Sequence, residues 1–190
     1  MRPILKAGVR ILRPGEYEAL REAIPKEKHK IMFDAALFTG MRYIELQRFK
    51  SHPSWYDEQG GYIYLPPEAS RKKRRKMRER YVYLSYVGRE AVSKFLKIRY
   101  KPPSRITWNE NLKRWASEAG LDPVGISAKT TRKTWESWLV ASYPDQTLLI
   151  AMNQGHTELT AMKHYLNLPF TKEDLRKIRV YTKGWCDEEV

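Results

Sequence analysis

The stretch "SRKKRRKMRERYVYLS" spans residues 70–85, and its reading decides the fold. Eight of the ten residues from Arg71 to Arg80 are Lys or Arg and one is Glu, so this window carries +7 of the chain's net +14. It is flanked by "YIYLP" (62–66) and "RYVYLS" (80–85), two short runs rich in aromatic and β-branched residues, the composition of strands. The basic window is therefore expected at the tip of a β-hairpin, held at both ends, and not in a disordered tail or a localisation tag.

Away from this hairpin the chain reads as helix. "RPGEYEALREAIP" (13–25) places Glu16 and Glu18 in a first turn, where the helix dipole favours acids, and Pro25 ends it. "KHKIMFDAALFTG" (28–40) carries apolar residues at 31, 32, 35, 36 and 38, and Gly40 permits a turn into a helix over 41–50. "SHPSWYDEQGG" (51–61) reads as loop. Further helices are expected over 88–100, 107–120, 128–142, 145–155, 157–166 and 171–181, with "PPS" (102–104) as a break and Gly120 as a stop. The expected fold class is mostly α with one small antiparallel sheet (α+β). It forms a single domain over 1–190 whose C-terminal tail starts at about 171.

Composition narrows the class of function. With 42% hydrophobic and 12% aromatic residues in 190, the chain can bury a core and does not resemble a disordered one. Clustered Lys and Arg point to a polyanionic partner, foremost nucleic acid; ribosomal and membrane-surface proteins share that charge. A single cysteine, Cys186, excludes a disulfide framework, and His29, His52, His156 and His164 show no zinc spacing. With no membrane-length apolar run and no signal-peptide core, the expected setting is soluble and cytoplasmic.

Three boxes carry candidate chemistry. "TGMRYIEL" (39–46) sets Arg42 just after a glycine at a helix start, where free backbone N–H groups attract an anion. "KTTRKTW" (129–135) puts Lys129 and Arg132 three apart on one helical face, with Trp135, Trp138 and Leu139 anchoring the other side. In "GHTELTAMKHY" (155–165), Gly155 can end a helix, His156 follows, and Tyr165 comes nine residues later. Taken singly, each reads first as a solvated basic face or ordinary packing.

Taken in order, the boxes resemble the tyrosine recombinase (phage integrase) family. Its catalytic domain carries T-G-L-R with a nearby Glu, a Lys in a β-hairpin, H-x-x-R, L-G-H, and a Tyr nine residues after that His. Here these read "TGMRYIEL", the basic hairpin with "ERYVYLS", "KTTRKTW", "NQGH" and "HYL", and the likeness covers essentially the whole chain. Lys129 stands where most of the family has His, which is reminiscent of archaeal virus integrases of the fusellovirus type. Gln154 replaces the Leu before Gly-His, and no Pro follows Val82. The N-terminal DNA-clamping domain of most relatives is not expected in this chain.

The resemblance implies cleavage and rejoining of DNA through a 3′-phosphotyrosyl link, without metal or cofactor. Tyr165 would be the nucleophile. Arg42 and Arg132 would clamp the non-bridging oxygens with planar forks, and His156 would add a hydrogen bond. Lys129 would contact the phosphate or the leaving oxygen. A hairpin lysine would act as general acid. The family's usual offset lands on Arg75, flanked by Lys76 and Lys73; Lys76 is preferred, with Lys72 a third candidate. Arg71, Lys72, Arg74, Arg75, Arg78 and Lys133 are expected to contact DNA. Glu45 is expected to orient a basic residue, or to form a plain helix pair with Arg42 or Arg48.

The partners implied are double-stranded DNA at an attachment or recombination site and further copies of the chain in a tetramer on DNA. No membrane and no small-molecule ligand are expected. Ile178 and Trp185 would anchor the C-terminal segment on a neighbouring subunit or on the chain itself. Two other readings stay open: a catalytically silent DNA-binding module of the same fold, and a type IB topoisomerase-like relaxing enzyme.

Overall fold

The computed structural model describes residues 2–70, 79–156, 165 and 167–186. The basic window at 71–78, with all its candidate lysines and arginines, lies outside the described residues. So does the helix expected over 157–166, Tyr165 excepted.

Among the described residues there are eight α-helices and two small antiparallel sheets. The helix Glu27–Thr39 (α2) is the core's centre. Met32, Phe33 and Ala35 through Thr39 are all buried, so this helix is apolar nearly all round and not along one stripe. It is covered by the helix Tyr86–Lys97 (α4) and by Ala128–Ser142 (α6). The helix Pro14–Ala23 (α1) begins where Glu16 accepts a hydrogen bond from the Arg13 N–H at 2.9 Å. Tyr17 of α1 meets Phe33, Phe38, Trp138 and Tyr181 at ring separations of 5.6–6.0 Å. The helix Arg105–Glu118 (α5) adds Trp108 and Trp115, both fully buried.

The two strands flanking the basic window pair as expected. Tyr62–Leu65 (β4) lies antiparallel to Arg80–Tyr83 (β5), with Ile63 opposite Val82 and Leu65 opposite Arg80. Ile63, Leu65 and Val82 face inward, while the tyrosines of both strands face outward. A third strand, Tyr56–Asp57 (β3), extends this sheet in the segment expected to be loop.

The expectation of one sheet is corrected at the N-terminus. Ile4–Lys6 (β1) and Val9–Ile11 (β2) form a second hairpin around Ala7 and Gly8. Both turn residues have positive φ (47° and 72°), as a twist-matched two-residue turn requires. The hairpin is fastened to α6: the Leu12 N–H donates to Thr134 Oγ1 at 2.9 Å, and Trp138 Nε1–H donates to the Leu12 carbonyl at 3.1 Å.

Smaller differences fall at helix ends. The helix expected over 41–50 runs Tyr43–Ser51 (α3), because Arg42 is its extended N-cap. The helix expected over 145–155 splits into a 3₁₀ turn and Thr147–Gln154 (α7). The last helix, Lys172–Thr182 (α8), folds back on its own chain against α1, α4 and α6. The Arg13–Asp174 pair at 2.5 Å, Ile178 and Trp185 secure it, the last two buried. No described helix is long and apolar enough to cross a membrane.

Candidate active site

Two left-handed glycines bring the first and third boxes against the second. Gly40 (φ 60°) ends α2 and turns the chain into Arg42; Gly155 (φ 68°) ends α7 and turns it into His156. Gly40 admits no side chain, since a Cβ would lie 2.4 Å from Gln154 Oε1 and 2.7 Å from Trp135 Cδ1. α2 and α7 thus deliver Arg42 and His156 to the exposed end of α6. Arg42, Lys129, Arg132, Lys133, His156 and Tyr165 all line one cavity of about 990 Å³. Its wall also includes Lys6 and Ala7 of the N-terminal hairpin and the exposed Arg105 at the start of α5.

Of the two arginines in the boxes, Arg42 is the accessible one, its side chain 37% exposed. Its Nη1 donates to Glu45 Oε1 at 3.0 Å and its Nη2 to the Gly155 carbonyl at 3.2 Å. Glu45 also accepts the Arg42 backbone N–H at 2.8 Å, which fixes the start of α3. Glu45 is fully buried and its main partner is Arg80, whose two terminal nitrogens reach its two oxygens. Burial disfavours its charge, but Arg80, Arg42 and Arg132 outweigh that and bring its pKa down to about 2. Glu45 therefore orients two arginines at once. The Arg48 of the alternative helix pair turns instead to the Glu68 carbonyl.

Arg132 is buried, and the protein takes up its fork. Nη1 donates to the Gly40 carbonyl at 2.9 Å, Nη2 to the Gln154 carbonyl, and Nε lies 3.0 Å from Glu136 Oε1. The cause is its place on a helix buried on nearly all sides, where each guanidinium N–H needs an internal acceptor. Burial lowers its pKa to about 10, against the pull of Glu136.

Glu136 is the residue that sequence reasoning missed. It is 1% exposed yet lines the cavity. With its proton on Nε2, His156 donates to Glu136 Oε1 at 2.8 Å, and the Tyr165 hydroxyl donates to Glu136 Oε2 at 2.8 Å. One carboxylate thus joins Arg132, His156 and Tyr165. Burial works against its charge, but Arg132, then His156 and Tyr165, hold its pKa below the usual carboxylate range. Tyr165 is nearly buried, and burial and the Glu136 charge push its phenol well above the ordinary tyrosine value. The available signal was a charged residue between two tryptophans, "WESW", four past Arg132. The same holds for Arg80 and for Lys6, neither singled out by its pattern.

Lys129 is exposed at the cavity mouth. Lys133 donates to the Lys6 carbonyl at 3.2 Å, and burial lowers its pKa. Lys73 and Lys76, the hairpin general-acid candidates, and Arg71, Lys72, Arg74, Arg75 and Arg78 lie outside the described residues. Among the described residues no group of three or more His, Cys, Asp or Glu side chains could hold a metal ion.

No family model matches the chain, and no curated protein matches it significantly. Solved structures do. The XerA recombinase superposes with a TM-score of 0.65 at 17% identity, over 94% of this chain and 65% of its own. The XerH site-specific recombinase, in a post-cleavage complex with its palindromic difH substrate, gives 0.62 at 17% identity, over 95% and 54%. The Tn1549 transposon integrase, in complex with circular intermediate DNA, gives 0.66 at 15% identity, over 88% and 65%. The chain spans between half and two thirds of the length of each. At these identities the likeness establishes the fold: the chain has the architecture of a tyrosine recombinase catalytic domain.

Proposed function

We propose that this chain is the catalytic domain of a site-specific DNA recombinase or integrase. It breaks and rejoins DNA through a 3′-phosphotyrosyl bond to Tyr165. The observation that carries the reading is the convergence of Arg42, Lys129, Arg132, His156 and Tyr165, from three separate boxes, on one cavity rimmed by basic residues. A phosphodiester entering it meets Arg42 and Lys129 first. Arg132 sits behind as a fixed positive charge, with the His156 imidazole beside it, which stabilises charge developing on the non-bridging oxygens. The bond to Tyr165 conserves the phosphoester, so a second 5′-hydroxyl can reverse the step without water or a cofactor. Lys76 or Lys73 would protonate the leaving oxygen, with Lys129 as contact to it or to the phosphate. Arg71, Lys72, Arg74, Arg75, Arg78 and Lys133 would hold the DNA backbone, and active assemblies would be tetramers. The fusellovirus-type assignment rests on Lys129 alone.

One observation favours a second reading, a silent DNA-binding module: Tyr165 is only 6% exposed and its proton is already held by Glu136. The deciding experiment uses supercoiled plasmid and nicked suicide duplexes in EDTA, quenched with SDS. The recombinase reading expects a covalent protein–DNA adduct with wild type and none with Tyr165→Phe, at equal DNA affinity. Tight binding by both proteins with no adduct on any suicide duplex supports the silent module.

A further inference from the structure

We propose that Glu136 is the general base of this site, taking the Tyr165 proton as the phenol attacks phosphorus. The proposal rests on the reading of Tyr165 as nucleophile and deepens it. An activated nucleophile has a recognisable geometry: a base within hydrogen-bond reach, itself oriented by a third group. The Tyr165 hydroxyl donates to Glu136 Oε2 at 2.8 Å, and the other oxygen, Oε1, is held by Arg132 Nε at 3.0 Å and His156 Nε2 at 2.8 Å. The division of labour is clear: Oε1 is saturated by two donors that lock the carboxylate in place, and Oε2 keeps a lone pair at the cavity wall.

A buried carboxylate is costly, and one paired to Arg132 alone could be replaced by apolar packing on this tryptophan-lined helix. Its second oxygen touches the one hydroxyl that the chemistry needs deprotonated. The proton balance closes. As Tyr165 Oη bonds to phosphorus, its proton passes to Glu136 Oε2. The bond from phosphorus to the 5′-oxygen breaks, and that oxygen leaves as a hydroxyl with a proton from a lysine ammonium. Rejoining runs the same transfers backward. Neutralising Glu136 also removes a negative charge beside the phosphoryl group as its own charge grows. The phenol becomes acidic as its bond to phosphorus forms, so the proton moves to Glu136 in the course of the attack.

The groups facing Glu136 are Arg132 and Lys133 from its own helix, His156 from the turn after α7, and Tyr165. The test is single-turnover cleavage of a suicide duplex from pH 5.5 to 9.5 by wild type, Glu136→Gln, Glu136→Asp and Tyr165→Phe. Wild type is expected to show a rate nearly flat in pH over this range. Glu136→Gln should be at least about 100-fold slower at pH 7, with a rate that climbs tenfold per pH unit because the phenolate must form unaided. Glu136→Asp keeps a carboxylate and should be slower but flat. The Tyr165 phenol, followed by ultraviolet difference titration against Tyr165→Phe, should ionise at lower pH in Glu136→Gln than in wild type.

A Glu136→Gln rate within threefold of wild type, or faster, overturns the role of Glu136. So does a slow variant with a flat profile, which marks a structural part only. Should Glu136→Gln fail to fold, a steep profile in Glu136→Asp overturns it. A wild type that makes no Tyr165-dependent adduct overturns the functional reading as well, so the two failures are distinguishable.

Discussion

Arg80 clasps Glu45 with both terminal nitrogens, 2.8 Å to each carboxylate oxygen, and ties the strand that follows the basic window to the helix start that carries Arg42. Glu45 is fully buried, so removing Arg80 leaves its charge in the core with Arg42 as its remaining ion-pair partner. Arg80→Ala should destabilise the protein by about 3–5 kcal/mol in urea unfolding. Arg80→Lys should recover little of that, because an ammonium cannot fork.

The same clasp sets an acid limit. The Glu45 pKa is depressed to about 2 in the folded protein, below the ordinary glutamate range. A depressed carboxylate stabilises the fold above its unfolded pKa, and that contribution is lost as pH falls through the folded value. Glu45 should therefore contribute on the order of 3 kcal/mol near neutrality, lost between about pH 5 and pH 2. Acid unfolding of Glu45→Gln, compared with wild type over that window, should show the pH dependence flattened.

Gly40→Ala is expected to damage both fold and site. Its φ of 60° disfavours any side chain, and the new methyl would meet Gln154 and Trp135. The expected loss is about 2–3 kcal/mol. Because the Gly40 carbonyl receives Arg132, cleavage should fall by more than the loss of folded protein accounts for.

On the proposed reading, affinity for DNA should fall steeply with salt. Lys129→Ala and Lys133→Ala should each flatten the slope of log affinity against log salt by about one, without changing sequence preference. Fluorescence anisotropy with a short duplex at several NaCl concentrations measures both. An unchanged slope would place that lysine off the phosphate track.

Periodicity and turn chemistry made much of this molecule legible. "KIMFDAALFTG" announced a helix with a glycine stop, and the strands around the basic window showed in "YIYLP" and "RYVYLS". The first hairpin did not show, because its strands are three residues each and its turn is Ala-Gly, not Asn-Gly. Arg42, Lys129, Arg132, His156 and Tyr165 stood out because their boxes, taken in order, resemble the tyrosine recombinase pattern. Glu136 did not. Four residues past Arg132 it reads as a surface ion pair, and only the burial of α6 between α2, β2 and α8 turns it into a site residue. Arg80 was hidden among seven other cations, and its partner lies 35 residues away.

Arg42 and Arg132 are each held in part by carbonyl oxygens at the ends of helices: Gly40 after α2, and Gln154 and Gly155 at the end of α7. Such contacts respond to ionic strength differently from DNA contacts. At 1 M salt the screening length shrinks to about 3 Å, which strips a polyanion from an exposed basic face, but dissolved ions do not compete for the carbonyls sealed around the buried Arg132 guanidinium. A salt wash that releases bound nucleic acid should therefore return the protein with its arginines still aimed, ready to rebind on dilution without a refolding step.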